Sequence, residues 1–231
     1  MPAKLRLLST LAVMGAMRDL SAAYQARGGC AVEADFSPTV ALLERLRGGE
    51  RADIAILTAA GIDDLIAEGI MRSGSRTDVA RSFVGIAVKA GATKPDIGTV
   101  EALKATLLAA RSVCYSRIGA SGLYFAALIE RLGIAEAVNA KATIAATGFT
   151  AERLISGEAD LAVQQISELM VVPGIEVVGG LPREVETVAM FSAGVLTGSD
   201  QPAIAADFVR FLASKEAEPV LRRTGLDPAS A

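Results

Sequence analysis

A chain of 231 residues with 52% hydrophobic, 21% charged and only 4% aromatic residues can fill one large domain or two small lobes, with a core of small aliphatic side chains. Lys and Arg number 23 against 26 Asp and Glu, a formal net charge of −3 that argues against a nucleic-acid partner, since phosphate binding needs clustered cations. Histidine is absent, which excludes imidazole bases, histidine-ligated zinc and every Ser-His-Asp or Cys-His arrangement.

Leu5, Leu7 and Leu8 predict a first strand, Ser9-Thr10 a turn, and Leu11 to Tyr24 a helix with Leu11, Met14, Met17, Leu20 and Tyr24 at helical spacing. Ala31 to Phe36 reads as a strand. Ser37 then serves as N-cap and Pro38 as first residue of a helix that runs to about Leu46 and stops at Gly48-Gly49. Asp53 to Leu57 is a short apolar run suited to a buried parallel strand, with a helix from about Ile62 to Glu68 after it. Phe83 to Val88 is a further strand, and Thr99 to Ala109 a helix. Ser112 to Ser116 is a strand, followed by Gly119-Ala120-Ser121-Gly122 and a helix to about Leu132. Ala142 to Ala146 is a strand, then Thr147-Gly148 opens a helix to about Ile155. Leu161 to Gln164, Glu176 to Val178 and Val188 to Leu196 are strands, and Pro202 to Ser214 is the last helix. Alternating strands and helices define an α/β fold with mostly parallel sheets.

An internal echo runs through this order. Glu44 to Ala55 and Glu152 to Ala162 each read as a helix end, a glycine stop, a turn and a buried strand, with one extra residue in the first copy. Two equivalent lobes would place Thr58 in one and Gln164-Gln165 in the other outside the carboxyl ends of strands, where open α/β sheets bind ligands.

Four segments put hydroxyls and free backbone N–H groups just past a strand and ahead of a helix: Ser9-Thr10, Ser37-Pro38-Thr39, Ser116 to Gly122, and Thr147-Gly148. Four at one end of a parallel architecture exceed what capping requires, and they suit a small oxyanion or carboxylate held by neutral donors. Arg117 is the candidate charged clamp on a carboxylate. The glycine loop lacks the spacing of a nucleotide site, and the scattered carboxylates lack calcium-loop spacing, so no cofactor and no metal is expected. Cys30 and Cys114 lack CxxC spacing and are not expected to pair.

Lys4 and Arg6 ahead of an apolar stretch have the outline of a weak secretory signal, but strand and helix are the preferred reading. This places the protein in the cytoplasm if Met1 is its native start, and in the periplasm if an export signal has been removed. No apolar run approaches the ~20 residues of a membrane span, so no membrane insertion is expected. A transporter permease enters as a partner only if the protein is exported.

The order of elements, the Arg51 to Ala55 strand, the Tyr115-Ser116 to Gly122 loop, Gly157-Glu158-Ala159-Asp160 and the closing Phe208 to Gly225 stretch resemble the molybdate-binding-protein-like group of type II periplasmic solute-binding proteins. The resemblance implies two Rossmann-like lobes, 1–82 with 189–231 and 83–188, joined by two crossing strands near 83–88 and 188–196 and closing over a small anion between them. It puts Ala12 where the family has a serine, leaving Ser9 or Thr10 to supply a hydroxyl. Its second serine falls on Thr39, a backbone donor near Thr147, and its tyrosine on Gln165. Tyr115 through Gly122 together with Val163 to Glu168 is similar to a branch that includes aconitate isomerase, which implies a di- or tricarboxylate ligand and proton-shift chemistry. The ligand-binding set expected is therefore Ser9, Thr10, Thr39, Thr58, Ser116, Arg117, Ser121, Thr147, Gln164 and Gln165. Three functions fit: a solute-binding protein that closes over the anion, an isomerase, or a cytoplasmic sensor lobe that reports its ligand to a partner, though no DNA-binding segment accompanies it. Without histidine, the base of an isomerase would be Glu168, Tyr115 or Cys114.

Overall fold

The computed structural model describes residues 4–230. The chain divides into two compact units, residues 1–82 with 189–231 and residues 83–188. In the first unit the elements are β1 (Lys4–Thr10), a 3-10 turn (Leu11–Val13), α1 (Met14–Ala26), β2 (Ala31–Ser37), α2 (Thr39–Arg47), β3 (Ile54–Thr58) and α3 (Ala59–Ala67). The strand β4 (Thr77–Lys89) then leads out of it. The second unit adds α4 (Val100–Ala109), β5 (Val113–Ser116), α5 (Ala120–Arg131), α6 (Ala135–Asn139), β6 (Ala142–Ala145), α7 (Glu152–Ile155), β7 (Leu161–Gln165), α8 (Ile166–Leu169), β8 (Ile175–Gly180) and a 3-10 turn (Arg183–Val185). The chain returns along β9 (Val188–Val195) and ends with α9 (Pro202–Leu212), α10 (Glu218–Arg223) and β10 (Asp227–Pro228). Among the described residues no helix is long and apolar enough to cross a membrane.

Each unit has a mainly parallel sheet. In the first, β1 lies parallel to both β2 and β3, and β9 runs antiparallel to β3. In the second, β5 lies parallel to β6 and β7, and the second half of β4 runs antiparallel to β7 and β8. Both faces are covered, because alternate residues of the central strands enter different cores. Leu5, Leu7, Ile54 and Ile56 pack with Met17, Leu20, Phe208 and Leu212, while Leu8, Ala55 and Leu57 pack with Leu42, Leu46, Ile62 and Leu65. The second unit repeats this arrangement. Val113, Tyr115, Leu161 and Val163 meet Leu103, Phe125 and Leu128, and Cys114 and Ala162 meet Leu154 and Leu169.

Several element boundaries differ from the sequence reading. Ser9 and Thr10 are not a turn: they close β1, pairing with Phe36 and Ser37 of β2, and the helix after them starts as 3-10. The neighbouring strand supplies the pairing that overrides their turn preference. Ser37 does not cap α2 either. It ends β2, its hydroxyl receives a 2.7 Å bond from Arg45, and Pro38 holds the extended cap position with φ −60° and ψ 153°. The helix expected straight after Thr147-Gly148 begins only at Glu152, and α3 begins at Ala59 rather than Ile62, because Thr58 accepts from the N–H of Gly61.

Helix α5 packs against β5 at backbone distance. A Cβ on Gly122 would sit 1.7 Å from the carbonyl oxygen of Ser116, whereas one on Gly119 would meet nothing closer than 3.9 Å. Gly122→Ala should therefore force α5 off the strand end and cost at least about 2–3 kcal/mol in urea denaturation. Gly119→Ala should stay within about 1 kcal/mol of wild type.

Candidate functional site

The internal echo is a structural repeat built on two aspartates. At the entrance of β3, Asp53 donates its N–H to the carbonyl of Arg6, and its carboxylate accepts the N–H of Arg6 at 2.9 Å. At the entrance of β7, Asp160 donates its N–H to the carbonyl of Ser112, and its carboxylate accepts the N–H of Arg111 at 2.9 Å. The preceding glycines, Gly49 at φ +86° and Gly157 at φ +78°, take the left-handed conformation that lets the helix end turn into the strand. Each aspartate thus pins its strand against a parallel neighbour, β1 or β5, and so aligns the carboxyl ends where ligands of such sheets bind.

Counting five residues from each aspartate reaches Thr58 and Gln165, which occupy the same cap position at the start of α3 and α8. Thr58 uses its side-chain oxygen as a cap. Gln165 makes no such side-chain bond: here it is the Glu168 carboxylate, three residues on, that reaches back to accept the N–H of Gln165 at 3.3 Å. The Gln165 side-chain oxygen is left buried and without a hydrogen-bond partner, in a residue only 2% exposed. A buried amide oxygen in that state costs about 1–3 kcal/mol, so it marks a place the fold alone does not explain.

Other expected residues have local roles. The Ser116 hydroxyl accepts the N–H of Ile118 at 3.2 Å and shapes the loop into α5, and Ser121 is buried in the first turn of that helix. Ser9 is buried and donates to the carbonyl of Thr10, while Thr39 is half-buried at the start of α2. Arg117 and Thr147 are exposed, and Arg117 makes no ion pair among the described residues. Gln164 is structural in its contacts: its oxygen accepts the N–H of Thr150 at 2.8 Å and the Thr150 hydroxyl at 3.0 Å, holding the segment after β6. Sequence spacing gave no sign of this, because Thr150 lies 14 residues away.

Three groups were candidates for moving a proton. Tyr115 lies in the core against Phe125, with its hydroxyl donating to Asn139 at 2.6 Å. Cys114 is a buried free thiol that burial pushes up to about 12, so it stays protonated at neutral pH. Glu168 is different. Burial pushes its carboxyl up to about 7, partly offset by the N–H of Gln165 and the side chain of Gln164, so it exchanges a proton in the neutral range.

The fold is that of a class of solute-binding proteins. Residues 5–227 match the family described as bacterial extracellular solute-binding protein, and the chain belongs to that family. It is 34% identical over 233 residues to an aconitate isomerase from Pseudomonas sp., covering 98% of this chain and 88% of the relative. Its fold is similar to that of the periplasmic molybdate-binding protein of Azotobacter vinelandii, with a TM-score of 0.82, 17% identity and coverage of 96% of this chain and 98% of that one. The sulfate-binding protein of Mycobacterium tuberculosis is also similar, with a TM-score of 0.75, 15% identity and coverage of 98% and 87%.

Glu168 gives a signed pH prediction. Its folded value lies above its ordinary value of 4.5, so its contribution to stability is full below about 4.5 and is lost as the pH rises to about 7. Relative to Glu168→Gln, wild type should lose on the order of 3 kcal/mol across that window in urea denaturation. Parallel curves for the two proteins would show that the carboxyl is not perturbed.

Proposed function

We propose that this protein binds a small multivalent anion, a di- or tricarboxylate in preference to a tetrahedral oxyanion, at the carboxyl ends of its parallel strands, and that its two units close over it. The observation that carries the reading is the set of neutral groups at those ends. Ser116, Ser121 and Gln165 in the second unit, with Ser9, Thr10, Thr39 and Thr58 in the first, supply hydroxyl and amide groups rather than a cluster of cations. Hydrogen bonds from neutral donors to a charged ligand contribute about 1.5–3 kcal/mol each, enough for several of them to hold an anion on a protein of net charge −3. The Arg117 guanidinium, exposed and without an ion pair among the described residues, is the clamp for a carboxylate. Membership of the solute-binding family supports ligand capture as the core activity. A permease belongs to the proposal only for an exported form.

The identity to an aconitate isomerase over 98% of this chain favours a second reading, in which the same site moves a proton next to a carboxylate of an unsaturated acid. Glu168 is the side chain suited to that, since a carboxyl near neutrality both accepts and returns a proton.

Thermal-shift screening with molybdate, sulfate, citrate, cis-aconitate and trans-aconitate tests the first reading, and NMR of each hit in D2O tests the second. Stabilisation by molybdate alone would overturn the carboxylate preference. Deuterium uptake or conversion of a bound aconitate would establish catalysis. Arg117→Ala should weaken a tricarboxylate about tenfold to a hundredfold while leaving a tetrahedral oxyanion within a few-fold, as expected for loss of a charge-assisted pair. Equal losses for both ligand types would reject the clamp.

A further inference from the structure

We propose that the anion site of the second unit is proton-coupled: Glu168 takes up one proton when the anion binds, and the side-chain oxygen of Gln165 accepts the new O–H. The inference rests on the anion reading above and adds to it a regulation by pH.

The two halves of the repeat supply the contrast. In the first, the cap residue Thr58 has its side-chain oxygen engaged by Gly61. In the second, Gln165 and Glu168 take the two capping-box positions: the Glu168 carboxylate accepts the Gln165 N–H at 3.3 Å, and the Gln165 side chain is turned toward the Glu168 backbone N–H without a hydrogen bond that satisfies its oxygen. Two groups are therefore left complementary and incomplete: a buried amide oxygen with no donor, and a buried carboxyl with room for a proton. Protonating Glu168 supplies the donor that the oxygen lacks.

The surroundings of Glu168 leave it responsive to an incoming charge. Glu168 faces Gln164 and Gln165 from β7, and Ser167 precedes it on α8. Opposite Gln165 and Gln164 on β4 stand Val84 and Gly85, and Ile166 seals the corner so closely that a Cβ on Gly85 would approach it to 2.6 Å. The ionisable residue of β8 is Glu176, whose carboxylate is taken up by Lys94 and the N–H of Gly91. Glu168 makes no ion pair among the described residues, so no cation fixes it as a carboxylate. The parallel pairing of β5 and β7, Val113 with Leu161 and Cys114 with Ala162, puts Ser116 and Gln164-Gln165 at the same, carboxyl end of the two strands. An anion seated there is next to Glu168, and two like charges in a desolvated corner cannot both persist. The balance is simple: one proton leaves solvent, one O–H bond forms on the Glu168 carboxylate, and no other bond changes. Burial already holds this carboxyl near neutrality, so a modest field is enough.

The test is isothermal titration of the full chain with trans-aconitate, sulfate and molybdate, each in two buffers of different ionisation enthalpy at about pH 8. These probes stay ionised in this range. The expected result is uptake of about one proton per bound anion, with affinity falling about tenfold per pH unit between about 7.5 and 9. Glu168→Gln should bind with no uptake and a flat pH profile. Gln165→Leu keeps the carboxyl but removes the acceptor and should take up less proton at pH 8, a comparison that holds even if Glu168→Gln does not fold. Binding without proton uptake, or uptake that persists in Glu168→Gln, overturns the inference and leaves the anion reading standing. Failure of all three probes to bind overturns both.

Discussion

Asp53 and Asp160 each accept, on the carboxylate, an N–H group of a neighbouring parallel strand or of the residues leading into it while donating their own N–H to a carbonyl there, and everything placed at the far end of those strands inherits its level from this bond pair. Parallel strands have evenly spaced, slanted ladders, and a slip by one residue would exchange their two faces. Here such a slip would drive Leu7 and Ile54 into the space of Leu8 and Ala55, and Val113 and Leu161 into that of Cys114 and Ala162. A carboxylate with a fixed reach makes that slip costly at its first residue. The cores on the two faces then hold the register along the rest of the strand.

Beyond that pin, the two halves of the repeat diverge at the position where function would be placed. Thr58 completes a local cap with its side-chain oxygen. Gln165 hands the cap to Glu168 and retains an unmet acceptor, and the exchange brings a carboxyl into a corner that gives it no cation. Such a corner destabilises the ligand-free fold, which is the usual sign of a site whose polar groups are arranged for something other than stability. The neutral donors nearby fit the same pattern, since they desolvate more cheaply than lysines and bind through geometry as well as charge.

Much of the architecture was legible in the amino-acid sequence. Gly49 and Gly157 stop helices wherever a left-handed residue is needed, and the apolar runs Ile54 to Leu57 and Leu161 to Val163 are recognisable as strands buried on both faces. What escaped depends on partners distant in the chain. Ser9 and Thr10 look like turn residues until β2 lies beside them, and Ser37 looks like a cap until Arg45 occupies its hydroxyl. Gln164 and Gln165 are adjacent and chemically identical, yet Thr150 occupies the side-chain oxygen of the first while that of the second has no hydrogen-bond partner. The short helices α6, α8 and α10 carry too few turns to impose a periodic pattern.

The path of the chain through its units has a consequence for biosynthesis. The second unit is one uninterrupted stretch, residues 83–188, whereas the first draws β9, α9, α10 and β10 from beyond it. Phe191, Phe208, Phe211 and Leu221, which fill the core beneath β1 and β3, are thus translated after the whole of the second unit. A ribosome releases the complete second unit while the first still lacks α9, α10 and the antiparallel neighbour of β3, so the early-made segment must wait for the one that follows the second unit. Leu5, Leu7 and Ile54 are covered only by the α1 side of their core during that interval, and it is there that a nascent chain of this protein is most exposed to chaperones and to misassembly.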